Sequence, residues 1–307
     1  MNFLMDRFPL YTSWMSKASN STVGMSLSPE QVSELAREMF RMFEFAEALS
    51  YDELTGMLVR KLFFYELTQA VKPYVSALFR GNKVDASQVI CLVGDVAMLS
   101  YANSKGHLVG DRLLRSISAI LSGVESLTCF GRAGGDELVA FVRGSDLVTV
   151  KDQVRVAQLK IAAVKHHQLD AGISTLDDVK QLLAIKDASG KSLVSPSEMR
   201  TKTKFVVQAL FSIAMERAQI EKIAFRLAFL AEMLLNNKEF FDEVKPHAVK
   251  SAGGVTMVSL RSLAGKLARG YDIWTECYER AVKVRQKEMS GTPFQKAVFE
   301  IAEKGFH

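Results

Sequence analysis

Two short apolar runs in the middle of the chain constrain its fold more than any other feature. Residues 89–93 (VICLV) and 138–142 (LVAFV) are rich in β-branched side chains and carry no charge. Runs of this length and composition are typical of strands buried inside a sheet. Helical spacing of apolar residues lies between the runs, over 110–121, and after the second, over 154–164. This alternation predicts an α/β or α+β domain over about residues 51–195.

The C-terminal part of the chain shows helical spacing only. Ser195-Pro196 and Thr292-Pro293 each place a hydroxyl at a helix N-cap and a proline in the first turn, and each is followed by Glu or Gln. The same signal at Ser28-Pro29 predicts a helix over about 29–49. We therefore predict three parts: an N-terminal segment and helix (1–50), the mixed domain (51–195) and an all-helical domain (196–307).

Composition places the chain among soluble globular proteins. Of its 307 residues, 48% are hydrophobic and 24% are charged, which supports a sizeable core. The most apolar stretch, residues 205–215, is shorter than the roughly 18 residues that a bilayer crossing needs, so we expect no membrane span. The three cysteines form no C-x-x-C pair, which argues against a disulfide framework or a cysteine zinc site and favours the cytoplasm.

The net charge of +5 lies entirely in the C-terminal third of the chain. A mild excess of this size is usual for a solvated helix face, so it gives little support to nucleic-acid binding. A protein partner for the C-terminal helices stays open as an alternative. The basic residues that would form such a surface are Arg261, Lys266, Arg269, Arg280, Lys283 and Arg285.

Two adjacent carboxylates stand at a glycine turn before the second apolar run. Gly134-Gly135 permits a tight turn between strands, and Asp136 and Glu137 follow it. Neighbouring acids beside a core are costly unless a cation neutralises them, and such oxygen ligands suit Mg²⁺ or Mn²⁺. Asp95 follows the first run, so adjacent strands would let Asp95 and Asp136 share a metal, as in nucleotidyl transfer. A hairpin turn with solvated acids is the alternative.

These residues resemble the GGDEF family, the diguanylate cyclases, and two further segments extend the resemblance. Residues 52–60 (DELTGMLVR) are similar to the family's opening D-x-L-T-G-L-x-N-R segment. Asp95, Asn103, Gly106-His107 and Gly110-Asp111 follow the order of a second family motif, with one residue fewer between Asn103 and Gly106. Three separated motifs in the family's order make a chance resemblance improbable.

The resemblance implies an α+β domain related to polymerase palm folds, with a central, mainly antiparallel sheet flanked by helices. Each domain would bind one GTP, and Asn103 and Asp111 would hydrogen-bond the guanine edge, because a carboxylate accepts from the ring N–H and the exocyclic amine together. Two domains of a homodimer would face each other. Each 3′-hydroxyl would then attack the α-phosphate of the other GTP, which gives cyclic di-GMP. The helix over 29–49 stands where the family often has a signalling stalk and would support that dimer.

The resemblance also implies roles for the acids at the turn. Asp95 and the carbonyl of Val96 would bind Mg²⁺ or Mn²⁺. Asp136 would be a metal ligand and a possible base for the 3′-hydroxyl, and Glu137 would support the metals.

The family's C-terminal A-D-x-A-L-Y-x-A-K-x-x-G-R segment is the hardest to place. Residues 178–191 (DVKQLLAIKDASGK) resemble a loose version of it, which would make Lys186 and Lys191 the cations for the triphosphate. A rival placement on residues 213–219 lacks the lysine.

Several departures from the family pattern leave two classes of function open. Ala97 replaces the second acid of the D-x-D pair, and Ser100 stands where the family has a lysine on the phosphate side. The product-inhibition motif R-x-x-D would fall on Glu125 and Thr128, so that feedback site is not expected. The chain is then either an active, metal-dependent diguanylate cyclase or a degenerate GGDEF domain that senses GTP or binds a protein without making product.

Overall fold

The structure is a computed structural model, and contacts divide it into two units, residues 1–49 and 50–307. The described residues are 34, 37, 38, 41, 49–85, 89–163, 167–186, 201–288 and 291–304. In the first unit, Glu34, Arg37, Glu38 and Arg41 are helical, and an exposed ion pair joins Arg41 to Glu38 at 2.9 Å. Otherwise the helix predicted over 29–49 lies outside the described residues.

The second unit contains a five-stranded sheet and, within the described residues, eleven helices. The strands are β1 (Leu58–Val59), β2 (Ile90–Val96), β3 (Cys129–Arg132), β4 (Glu137–Val142) and β5 (Leu169–Thr175). The helices before β5 are α1 (Arg60–Val71), α2 (Val75–Phe79), α3 (Leu99–Ser104), α4 (His107–Ser122) and α5 (Leu147–Ala162). Those after it are α6 (Leu176–Ala184), α7 (Lys202–Asn236), α8 (Lys238–Ser251), α9 (Met257–Leu267), α10 (Trp274–Glu288) and α11 (Pro293–Lys304).

The strand order is β1-β3-β4-β2-β5, with β1 parallel to β3 and all other pairs antiparallel. The predicted α+β class and mainly antiparallel sheet are therefore confirmed. The apolar runs at 89–93 and 138–142 fall in β2 and β4, and these two strands are neighbours. Their register sets Asp95 directly opposite Glu137.

Side chains alternate between the two faces of the sheet, so each strand contributes residues to two hydrophobic cores, one on each face. On one face, Ile90 and Leu92 pack with residues of α4 and α5 such as Ile117 and Val154. On the other, Cys91 joins residues of α1, α2, α6, α7 and α11. The second face therefore needs helices from the C-terminal part of the chain to keep it from water.

Helix α7 is the main cover of that second face. It is 35 residues long and buried on most sides, as expected of a central helix. A Cβ on Gly172 of β5 would lie 1.9 Å from the carbonyl oxygen of Ala214 and 2.5 Å from the nitrogen of Ala218. Only glycine at this position allows the helix backbone to approach the strand so closely. The close approach brings the following turns of α7 over the ends of β2 and β5.

The C-terminal helices continue the same packing. The second half of α7 packs with α8, α9 and α10 around residues such as Leu230, Phe241 and Leu263, while α11 returns to the sheet-face core through Ile301. The helical character predicted for the C-terminal region is confirmed, whereas the boundary at 195 stays a prediction inside a single contact unit. Among the described residues, no helix is long and apolar enough to cross a membrane.

Candidate active site

Arg132 shapes the glycine turn between β3 and β4. Its guanidinium donates to the carbonyl oxygens of Gly134 at 3.1 Å and Gly135 at 2.7 Å, and to both carboxylate oxygens of Asp52 at 3.1 Å. The pKa of Asp52 is affected first by burial, which raises it, but hydrogen bonds from Thr55 and Arg132 outweigh that effect and lower it. The opening segment and the turn, 80 residues apart in sequence, are thus joined by one ion pair.

The turn brings its two acids beside the end of β2. The backbone N–H of Val96 donates to the carbonyl oxygen of Asp136 at 2.9 Å, and Asp95 pairs with Glu137 in the ladder. Burial and the negative charge of Asp136 raise the pKa of Glu137, and the charge of Arg60 partly opposes them. The structure therefore brings together Asp95, Asp136 and Glu137 at one edge of the sheet.

A fourth acid, Asp170 on β5, extends this cluster into a row across three strands. Asp95 is opposite Asp170 on one side and Glu137 on the other, and directly opposed residues share a face of the sheet. Asp95 and Asp170 are 4% and 0% exposed. Burial raises the pKa of Asp170 to about 7, and it also raises that of Asp95, with repulsion from Asp136 adding to the effect.

Helix α7 supplies the cations that face this row. Lys222 Nζ lies 2.8 Å from Asp95 Oδ2, and Arg226 Nη2 lies 3.3 Å from Asp170 Oδ2. The two basic residues are four apart in sequence, so they lie on one face of the helix. Buried like charges are tolerated only with such partners, because an unpaired buried charge is strongly destabilising.

The acidic side chains at this site are of the type that binds a divalent cation, but they are not arranged around a common point as metal ligands would be. Carboxylate and carbonyl oxygens from Asp95, Val96, Asp136 and Glu137 are the donors that Mg²⁺ and Mn²⁺ prefer. Yet no three acidic, histidine or cysteine side chains among the described residues are grouped as they would be around a metal ion. Asp95 is instead paired with Lys222, so the donor set would fit a metal only after Lys222 moved away.

The predicted guanine contacts lie on the two helices that follow β2. Asn103 belongs to α3 and Asp111 to α4, and both are partly exposed. A Cβ on Gly110 would lie 1.9 Å from Asn103 Oδ1, so the Asn103 amide packs against α4 at Gly110, the residue before Asp111 in sequence. The shorter connection before Gly106 thus leaves Asn103 in contact with the helix that carries Asp111.

The predicted triphosphate cations are less well placed by the structure. Lys186 is exposed and follows the end of α6, and Lys191 lies outside the described residues. The residues that sequence reasoning missed are Asp170, Lys222 and Arg226. Lys222 and Arg226 could have been found from their spacing. They reproduce the Lys-x-x-x-Arg spacing at the end of the family's A-D-x-A-L-Y-x-A-K-x-x-G-R segment.

Comparison with known proteins identifies the mixed domain. Residues 49–179 match the family model described as "Diguanylate cyclase, GGDEF domain". No curated protein matches the chain significantly. The segment 49–179 is thus a GGDEF domain, as the resemblance had implied.

Solved structures with a similar fold include several GGDEF proteins. The coiled coil and GGDEF domain of DgcB from Caulobacter crescentus, in complex with c-di-GMP, is 17% identical over 54% of this chain and 88% of its own, with a TM-score of 0.41. Diguanylate cyclase SiaD from Pseudomonas aeruginosa, in complex with its activator SiaC, is 15% identical over 68% and 72%, with a TM-score of 0.36. A sensory box/GGDEF family protein from C. crescentus CB15 is 20% identical over 53% and 97%, with a TM-score of 0.35.

Proposed function

We propose that the GGDEF domain binds GTP and condenses two GTP molecules into cyclic di-GMP. The observation that carries this proposal is that three acidic residues, Asp95, Asp136 and Glu137, lie where β2 and β4 meet the glycine turn and that their charges interact. Burial, together with the charge of Asp136, raises the pKa values of Asp95 and Glu137, which is a cost to the fold. Such a cluster is typical of sites where a reaction uses the charge.

The nucleotide would be recognised at both of its ends. Asn103 packs against α4 at Gly110, the residue before Asp111, and its amide and the Asp111 carboxylate would bind one guanine edge. At the other end, Lys222 of α7 replaces Lys186 and Lys191 as our proposed partner of the triphosphate. Arg226 lies one turn further along α7, with its guanidinium buried against Asp170.

The reaction forms one bond and breaks one bond at each α-phosphorus. The 3′-hydroxyl oxygen of one GTP bonds to the α-phosphorus of the other, and the bond from that phosphorus to the bridging oxygen breaks, which releases pyrophosphate. Asp136 would accept the hydroxyl proton, since its charge acts on both Asp95 and Glu137. A bound Mg²⁺ or Mn²⁺ would neutralise phosphate charge. Two copies of the domain must face each other, so we propose a homodimer as the active form.

The test is to incubate the purified full chain with GTP and Mg²⁺ or Mn²⁺ and to separate the products by chromatography. The wild type should make cyclic di-GMP, and Asp136→Asn, which removes charge but little volume, should make none. Asp152→Asn changes an exposed acid of α5 in the same way and should keep full activity. Full activity in Asp136→Asn would overturn the role of the acid cluster.

A degenerate nucleotide sensor is the second candidate, and the ion pair between Lys222 and Asp95 favours it. That pair already neutralises the acid that would have to bind metal, and Ala97 removes another acid nearby. A sensor would gain thermal stability from GTP yet yield no cyclic di-GMP under any metal condition. A cyclase would show both the stabilisation and the product.

A further inference from the structure

The side chain of Lys222 is paired with Asp95, the acid that we propose as a metal ligand. We propose that Lys222 competes with a divalent cation for the Asp95 carboxylate. The cation binds Asp95 only when the phosphates of a nucleoside triphosphate pair with Lys222 instead. Lys222 would then couple metal binding to nucleotide binding, because its ammonium group can pair with Asp95 or with the phosphates but not with both. The inference rests on the proposed nucleotide binding, but its decisive test contains no nucleotide.

The pair is protected enough to compete with a metal ion. The side chains of Lys222 and Asp95 are 19% and 6% exposed, and their charged atoms are 2.8 Å apart. Solvent screens such a pair much less than an exposed one. A cation arriving alone must therefore displace the ammonium and leave it without a partner beside Arg226.

The exchange would involve the Lys222 side chain and not the helix. Gly172 places α7 in backbone contact with β5. One turn before Lys222, Arg217 donates to both carboxylate oxygens of Asp178 at 2.9 and 2.8 Å, and to the carbonyl oxygens of Ile301 and Ala302. The backbone of α7 is thus fixed from two directions, whereas a lysine has a flexible four-carbon stem that can carry its charge elsewhere.

Arg226 would stay in place during this exchange. The side chain of Arg226 is 2% exposed and that of Asp170 is 0% exposed, so breaking this ion pair would leave a buried charge without a partner. The Asp170 charge remains compensated when Lys222 leaves, and Asp95 becomes the acid that needs a new cation. A triphosphate offers Lys222 a new partner, and a divalent cation offers one to Asp95, so each binding event favours the other.

The test is the affinity of the nucleotide-free full chain for Mn²⁺, measured by electron paramagnetic resonance of the free ion. Lys222→Met keeps the apolar stem and removes the charge, and we expect it to bind Mn²⁺ at least about tenfold more tightly than the wild type, a change of about 1.4 kcal/mol. Lys222→Arg keeps the charge and should bind as weakly as the wild type. Lys266→Met removes a lysine paired with Glu276 on the C-terminal helices and should change nothing.

Equal Mn²⁺ affinity in the wild type and Lys222→Met would overturn the inference. If Lys222→Met does not fold, Lys222→Gln replaces it with the same expectation and the same contrary result. Because no GTP is present, failure of the chain to make cyclic di-GMP would count against the proposed function and leave this comparison unchanged.

Discussion

Glu221 shows how much the environment of a single acid on α7 changes its chemistry. Its carboxylate accepts hydrogen bonds from the backbone N–H of Ala171 at 2.6 Å and from Gln158 Nε2 at 3.3 Å. Burial raises the pKa of Glu221 from 4.5 to about 8, and the negative charge of Asp170 adds to that rise. At neutral pH this residue is therefore largely protonated.

Glu221 should make the stability of the protein fall as the pH rises. A pKa that is higher in the folded state than in the unfolded state means that folding takes up a proton, so its stabilising effect is complete below pH 4.5 and is lost as the pH approaches 8. The slope is at most about 1.4 kcal/mol per pH unit. Glu221→Gln cannot titrate, and its free energy of unfolding in urea should depend less on pH between 5 and 8. Glu300→Gln, on an exposed position of α11, should follow the wild-type curve; identical curves for all three would contradict the raised pKa.

Asp111 should decide whether the site prefers guanine. Hydrogen bonds to a charged group contribute about 1.5–3 kcal/mol, so Asp111→Ala should weaken a non-hydrolysable GTP analogue about 10- to 100-fold and leave the ATP analogue nearly unchanged. Isothermal titration calorimetry with both analogues measures this directly. A wild-type protein that binds the two equally would refute the guanine assignment.

The approach of α7 to β5 is the element-scale feature on which the site depends. Gly172 permits the contact, and Lys222 and Arg226 reach the acids only because the helix lies this close. The same contact buries the sheet face around Cys91 and Val93. Packing and the site's charge pairs are therefore set by one helix–strand interface.

Gly172→Ala should be destabilising, because its Cβ would meet helix backbone that cannot rotate away. Overpacking of this kind costs about 1–3 kcal/mol. Gly265→Ala in α9 is the matched control: the nearest atom to its Cβ is Arg269 Nη1 at 3.8 Å, so the change should be neutral or stabilising by up to about 1 kcal/mol. Urea unfolding distinguishes the two. A Gly172→Ala variant as stable as the wild type would mean that α7 is not in contact with β5.

Sequence reasoning found the parts of this architecture that local patterns encode. The apolar runs predicted β2 and β4, and the glycine turn with Asp136 and Glu137 predicted where the acids lie. Asp170 gave no such signal, since a single acid within a strand is ordinary on a solvated face. Lys222 and Arg226 lie in a helix that is apolar on most sides, and which acids they neutralise depends on packing between segments more than 50 residues apart in the chain.

At the scale of the whole molecule, the C-terminal helices complete the sheet domain. Residues of α7 and α11 share one core with β2 and β4, and Arg217 joins α7 to β5, α6 and α11. A chain that ends after Lys186 would expose the face around Cys91, Val93 and Phe141. We expect that fragment to aggregate or to lack fixed tertiary structure, which near-ultraviolet circular dichroism and gel filtration would report. A folded, monomeric fragment would instead support a domain boundary near residue 195.

The most direct test of the central claim is the initial rate of cyclic di-GMP formation by the full chain over a series of protein concentrations. If two GGDEF domains must face each other, the rate per molecule should rise with concentration and then level off as dimers saturate. Cyclic di-GMP that appears with this dependence would support the cyclase and its homodimer together. An absence of product at every concentration, with either Mg²⁺ or Mn²⁺, would contradict the account.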